Sequence, residues 1–409
     1  MTGPRPFSID RIAAELPRHG TVMVGGCSGA SRLLADAVMA AGDAIGDLTF
    51  TGIAVPGLNR ATWLANERCR FATFFMTPEL KAAGEAVDFL PLTYTGILAR
   101  WQRTPPDAAL FSVTPPDENG LCSFGPAVDF LADLWPSIPR RIAHVNPLLP
   151  RTSGSTGIPH AALHAVVEAP EAPPTSAEAA TDPVTAAIAR HVAAHIPDGA
   201  TLQTGIGKLP GAILAALENH RSLRIHSGLI GDATLDLVER GVIAEDRHVI
   251  TGVAIGSERL YAALPGCGFR FRPVSYTHHP AIIAAIPNFV TINSALGVDL
   301  FGQAYAEAGP AGWLSGTGGA TDFARAAGIG GGLRIVALPA ASKGASRIGT
   351  GRGPVTLGRT DTDLVVTEHG VADLRGLDHD ARAAALIAVA APAHCDDLAR
   401  AWRDGPGEN

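Results

Sequence analysis

The sequence predicts an α/β protein made of two tandem, related α/β domains with mostly parallel sheets. Three observations carry that prediction. The chain has 409 residues, 46% of them apolar, which is enough material for two cores. A stretch rich in Pro, Ala, Ser and Glu, "EAPEAPPTSAEAATDP" from Glu168 to Pro183, divides it into parts of similar size. The same strand–turn–helix signature then occurs in both parts.

The first copy is "LPRHGTVMVGGCSGASRLLADAV" and the second is "IPDGATLQTGIGKLPGAILAAL". With Pro17 set on Pro197, Thr21 falls on Thr201, Gly25 on Gly205 and Leu34 on Leu214. Each reads as a short strand, a Gly-rich turn and a helix. Farther on, "LTFTGIAVPG" from Leu48 matches "LRIHSGLIGD" from Leu223 as a second strand leaving toward a loop. Repeated units of this kind imply a parallel sheet with helices on its faces. The remaining strands of the first half are "AALFSVTPP" and "RRIAHVNP". Those of the second are "RHVITGVAIG", which ends at Gly256, "FVTINSAL", "LRIVALPA" and "DLVVTEHG". Helices are expected in "DATLDLVERG", "TDFARAAG" and "HDARAAALIAVA". The expected domains are 1–167 and 184–409, joined by the linker 168–183.

Composition narrows the function. Charged residues make up 17% and the net charge is -7, which argues against nucleic acid as a partner. No apolar run reaches the length of a membrane span, and the start lacks a signal-peptide core. Five scattered cysteines form no CxxC pair, and no HExxH is present, so neither a metal site nor a disulfide framework is expected. These features together point to a cytoplasmic protein.

Ligands of parallel sheets bind beyond the carboxyl ends of the strands, where the Gly-rich turns should lie. "TGIGKLPG" places Gly205, Gly207 and Lys208 between a strand and a helix start, where backbone N–H groups can hold an oxyanion or a phosphate. "SGTGGATDFARA" does the same with Gly316, Gly318 and Gly319. Both also read as plain tight turns that need glycine. "TPPDENGLCSFG" is a polar loop carrying Asp117 and Glu118. Cys27 and Cys122 read as small buried hydrophobes rather than nucleophiles. At the junction His226-Ser227-Gly228 the strand is expected to run out. Adjacent strand residues alternate faces, so His226 and Ser227 cannot pair with each other. Ser227 is expected to line the site or to cap the helix starting near Asp232.

Taken in order, "LQTGIGKLPGAILAAL", "IHSGLIGDATLDLVERGVI", "INSALGVDLFGQ", "SGTGGATDFARAA" and "LVVTEHGVADLRGL" resemble the acetyl-CoA hydrolase/transferase family, and "VTPPDENGLCSFG" does too. "VPGLNR" and "FFMTPEL" are most similar to its itaconate and succinate CoA-transferases. The resemblance implies two related α/β domains with the active site between them, acyl-CoA and a small carboxylate as partners, and a homodimer. Coenzyme A thioester would be a substrate, with no permanently bound cofactor. It also implies a glutamate nucleophile that forms an acyl anhydride and then a CoA thioester. CoA and substrate contacts carry over to the glycine turns, to Gly256 and to Asn293.

The sequence departs from the family at its centre. Gly228 stands where the glutamate belongs, and Gly297 replaces an acid in "NSALGVDL". Three functions follow: CoA transfer with a carboxylate from elsewhere, acyl-CoA hydrolysis or direct acyl transfer, and CoA-ester binding without catalysis. Glu67, Glu79 and Glu118 are the candidate replacement acids, with Glu118 first. Gly228 itself is expected to leave a hole for a bulkier acyl group or for an acid reaching across.

Overall fold

The computed structural model describes residues 3–177, 180–246, 248–309, 312–349, 351 and 353–405. The chain forms two compact units, Met1–Ala177 with Val249–Thr277, and Glu178–His248 with His278–Asn409. The segment Val249–Thr277 thus groups with the first unit, although the sequence places it inside the second domain.

In the first unit, eight strands form one sheet: β1 (Arg5–Pro6), β2 (His19–Val24), β3 (Asp47–Gly52), β4 (Arg70–Thr73), β5 (Val87–Phe89), β6 (Ala108–Val113), β7 (Arg140–Val145) and β8 (Ala165–Glu168). Their order is β1-β8-β7-β6-β2-β3-β4-β5, and every adjacent pair is parallel. Val22 sits opposite both Ala108 and Phe50, so β2 is the central strand from which the chain winds outward. Helix α1 (Arg32–Ala41) starts where Ser31 Oγ accepts from Leu34 N at 3.1 Å. It buries Leu34, Ala35 and Val38, positions spaced for one helical face. These join Phe50, Phe71 and Trp63 in the core.

The second unit repeats the motif. Strands β9 (Thr201–Gln203) and β10 (Arg224–Ile230) flank helix α2 (Lys208–Ala215) in sequence and pair in parallel, as β2 and β3 do around α1. Helix α3 (Asp232–Glu239) follows β10. Strands β11 (Val249–Ala254) and β12 (Arg270–Phe271), parallel to each other, belong to the segment grouped with the first unit. Beyond β9 come β13 (Phe289–Ser294), β14 (Leu333–Ala337) and β15 (Leu364–Thr367), all parallel. The last strand, β16 (Gly370–Asp373), turns back antiparallel on β15. Helix α4 (Ala320–Ile329) lies between β13 and β14 in sequence. Among the described residues, apolar clusters of this unit lie around Val298, Leu338, Val365 and Leu386 and around Phe289 and Phe323. No helix among the described residues is long and apolar enough to cross a membrane.

The expected linker is anchored rather than loose. Glu168 ends β8, and Asn146 hydrogen-bonds both backbone groups of Glu171. The Glu171 carboxylate accepts from the N–H groups of Arg32 and Leu33 at 2.9 and 2.8 Å, holding the start of α1. Asp182 caps the helix Pro183–Ala193.

Candidate functional site

The junction at residues 226–228 differs from the expectation in three ways. Strand β10 does not run out there; it continues to Ile230. Ser227 does not cap α3, whose N-cap is Gly231; its hydroxyl donates to the Thr204 carbonyl at 2.7 Å, tying β10 to the turn after β9. Gly228 does not leave a hole. A Cβ built there would stand 2.8 Å from Cε1 and 2.9 Å from Nε2 of His278. His226 does face away from Ser227 as strand alternation requires, with its ring edge-on to Phe289 at 6.3 Å.

Nothing in the sequence singles out His278. Its ring also lies against Gly319, where a Cβ would come within 2.6 Å of Nε2. Phe323 covers it, with ring centroids 4.7 Å apart. The imidazole is therefore packed between two glycines from distant parts of the second unit, and only glycine at both leaves room for it. Its exposure is 2%. Burial, reinforced by the nearby His226, lowers its pKa to about 3, so the ring is neutral at physiological pH. The side-chain volume that Gly228 lacks is filled by imidazole.

The first Gly-rich turn falls at a strand end, as expected; the second follows a small hairpin, Ala308–Gly309 with Gly312–Trp313, between β13 and α4. Thr204–Gly207 joins β9 to α2, and Gly207, with φ +104°, is its glycine N-cap with open space at its Cβ position. Thr204 Oγ1 is buried there without a hydrogen-bond partner among the described residues. Lys208 is half-exposed and ion-paired to Asp182, so it is not a free cation. Gly316, Gly318 and Gly319 precede α4, with Gly318 at φ +59°. Asn293, on β13, donates to Thr291 Oγ1 at 3.0 Å. Gly256 belongs to the segment grouped with the first unit, where its carbonyl accepts from Ser176 N at 3.0 Å. The "TEHG" stretch is the hairpin turn between β15 and β16, and Glu368 accepts from Ala340 N at 2.8 Å. No group of three or more His, Cys, Asp or Glu among the described residues gathers as metal ligands.

In the first unit, Asp117 builds its loop by accepting from the N–H groups of Asn119 and Leu121, both at 2.9 Å. The Leu121 bond is the main reason its pKa lies below the usual carboxylate value. Glu118 is left exposed at the turn. Glu67 is exposed, whereas Glu79 is partly buried, with an Oε2 that has no partner among the described residues. Cys27 and Cys122 are buried and burial raises both thiols, which keeps them protonated. A cavity of about 630 Å³ in this unit is lined in part by Gly25, Ser31, Asn59, Trp63 and the exposed Arg32 and Arg60. That volume suits a small-molecule ligand.

Residues 256–402 match the model of the acetyl-CoA hydrolase/transferase C-terminal domain. The chain is 37% identical to the 4-hydroxybutyrate coenzyme A transferase of Clostridium kluyveri over 332 residues, 76% of each protein. The chain belongs to the acetyl-CoA hydrolase/transferase family. Solved structures of the family's fold agree. RipA from Yersinia pestis superimposes with a TM-score of 0.90 at 28% identity, covering 98% of this chain and 97% of that one. The 4-hydroxybutyrate CoA-transferase of Porphyromonas gingivalis does so with a TM-score of 0.83 at 29% identity and the same coverage.

Proposed function

We propose that the protein transfers coenzyme A between a short-chain acyl-CoA and a small carboxylate, using a carboxylate that does not come from position 228. The observation that carries this reading is the 37% identity, over three quarters of both chains, to a 4-hydroxybutyrate coenzyme A transferase. We assign the nucleophile first to Glu118, the exposed acid of the family-like loop. Its carboxylate attacks the thioester carbonyl, CoA leaves as thiolate from the tetrahedral adduct, and a mixed anhydride between the acyl group and the enzyme remains. The thiolate then attacks the enzyme's own carbonyl, releasing the first carboxylate and leaving a CoA thioester on the side chain. The second carboxylate takes over the CoA through the reverse steps. Each hard exchange is thereby split into two easier ones.

In the second unit, N–H groups at Gly205, Gly207 and Lys208, and at Gly316, Gly318 and Gly319, are assigned to oxyanion or CoA binding, with Asn293 as a further contact there; Gly256 is the contact assigned to the first unit. Ser227 holds the Thr204 turn in place, His226 lines the neighbouring wall, and Gly228 makes room for His278. We place the enzyme in the cytoplasm as a homodimer, with CoA thioester as substrate only.

The absence of a carboxylate at position 228 favours a second reading, hydrolysis or direct acyl transfer without an anhydride, using His226 or a water. The deciding experiment incubates the protein with an acyl-CoA, with and without an added carboxylate, and follows all CoA species by chromatography. Transfer is supported if a new acyl-CoA forms only when acceptor is present. Free CoA released without acceptor overturns it in favour of hydrolysis, and tight binding with no turnover leaves a CoA-ester-binding protein.

A further inference from the structure

The first unit holds a second, smaller cavity of about 40 Å³, lined among others by Gly26, Cys27, Gly29, Ala127, Asp129 and Phe130. It shares Val24, Gly25, Gly26 and Ile53 with the wall of the 630 Å³ cavity. Asp129 is 9% exposed, and its Oδ1 has no hydrogen-bond partner among the described residues. Buried carboxyl oxygens without partners are rare and call for an explanation. The surrounding backbone is also unusual. Asp129 and Cys27 have φ of +30° and +51°, conformations that non-glycine residues seldom adopt. A Cβ on Gly26 would fall on the Ile53 carbonyl.

The chemistry of the carboxyl narrows what the cavity could take. Burial, aided by the charge of Asp133, raises its pKa to about 8, so at neutral pH the side chain is a hydrogen-bond donor rather than a nucleophile. The walls beside it, Val24, Ile53, Phe111, Val128 and Phe130, are apolar. A water occupies roughly 30 Å³ in the liquid, so the space suits one small terminal group and excludes a pantetheine arm.

We propose that this cavity receives the oxygen-bearing end, hydroxyl or carboxyl, of a short carboxylate substrate, and that the Asp129 carboxyl hydrogen-bonds it. Asp129 is then a specificity residue that selects acids with a polar terminus over plain alkanoates. This rests on the CoA-transfer reading for the identity of the substrate class, and its test does not depend on turnover.

The test measures binding of three four-carbon acids, butyrate, 4-hydroxybutyrate and succinate, to the full chain by titration calorimetry, alongside the CoA-transfer assay. The wild type should bind the two oxygen-ended acids at least tenfold more tightly than butyrate at pH 6.5. Asp129→Ala should bring all three within threefold. Asp129→Asn, which tolerates positive φ, guards against a folding failure of the alanine variant. It should keep part of the preference and hold it from pH 6.5 to pH 9. The wild type should lose its preference for succinate over that range, as Asp129 ionises and faces a second carboxylate, and keep that for 4-hydroxybutyrate, whose hydroxyl then donates to Asp129. The other titratable groups coupled to Asp129 are Asp133, Cys27 and Tyr94; both variants retain all three, and burial raises the pKa of each. Equal binding of butyrate by the wild type overturns the proposal. So does a uniform loss for all three acids in both variants, or a cavity that holds an ordered water only. Selective binding without CoA transfer supports the pocket and counts against the transferase reading; transfer without selectivity does the reverse.

Discussion

At the scale of single residues, Gly228, His278 and Gly319 form one size-matched set. Overfilling a packed site typically costs about 1–3 kcal/mol. Gly228→Ala is therefore expected to lower the thermal midpoint, because its methyl would meet the imidazole at 2.8 Å. His278→Ala opens that space, and the double variant should be more stable than the sum of the two single effects, a coupling measurable in a double-mutant cycle. Additive losses would mean that the ring does not occupy the Gly228 position. Asp129 makes a separate prediction. The folded chain holds its proton up to about pH 8, whereas the ordinary carboxyl value is 3.8. Between those values the folded state carries the extra proton, so its stability falls as pH rises. Asp129→Asn removes that loss. Its midpoint relative to wild type should climb from pH 4 to pH 8 and then level off, as read by scanning calorimetry.

At the scale of elements, the start of α1 is held from outside the helix. Glu171 accepts two of its first N–H groups and Ser31 a third. Loss of a helix cap costs about 1 kcal/mol. Glu171→Ala should speed hydrogen exchange at Arg32 and Leu33 while leaving the β2 amides protected; unchanged exchange at both residues would show that the contact does not hold in solution. The elements themselves were legible in the sequence. The strands "AALFSV", "RRIAHV", "FVTINS" and "LRIVA" appear where their apolar runs lie. So do the helices opening at Asp232 and His379. These signals are local, set by periodicity and glycine placement. The site was less legible. His278 meets Gly228 and Gly319 only through the tertiary fold, and "SYTHHP" carries no motif. Asp129 sits in the apolar run "PAVDF", where no spacing reveals an unpartnered oxygen. Ser227 reads locally as a cap, but its strand runs three residues farther and carries its hydroxyl to the neighbouring turn.

At the scale of the whole molecule, two units carry the same parallel strand–helix–strand motif, and the chain returns to the first unit for Val249–Thr277 before completing the second. That return was hidden because "RHVITGVAIG" looks like any other strand of the second half. The family's catalytic route, as its resemblance implies it, requires a carboxylate that covalently accepts the acyl group, and position 228 offers none. The most direct measurement incubates the protein with acyl-CoA, traps with hydroxylamine or borohydride, and maps the modified residue by mass spectrometry. A single modified acid outside residues 224–230 is expected, with Glu118 first. Turnover that continues with no acid modified anywhere would contradict it.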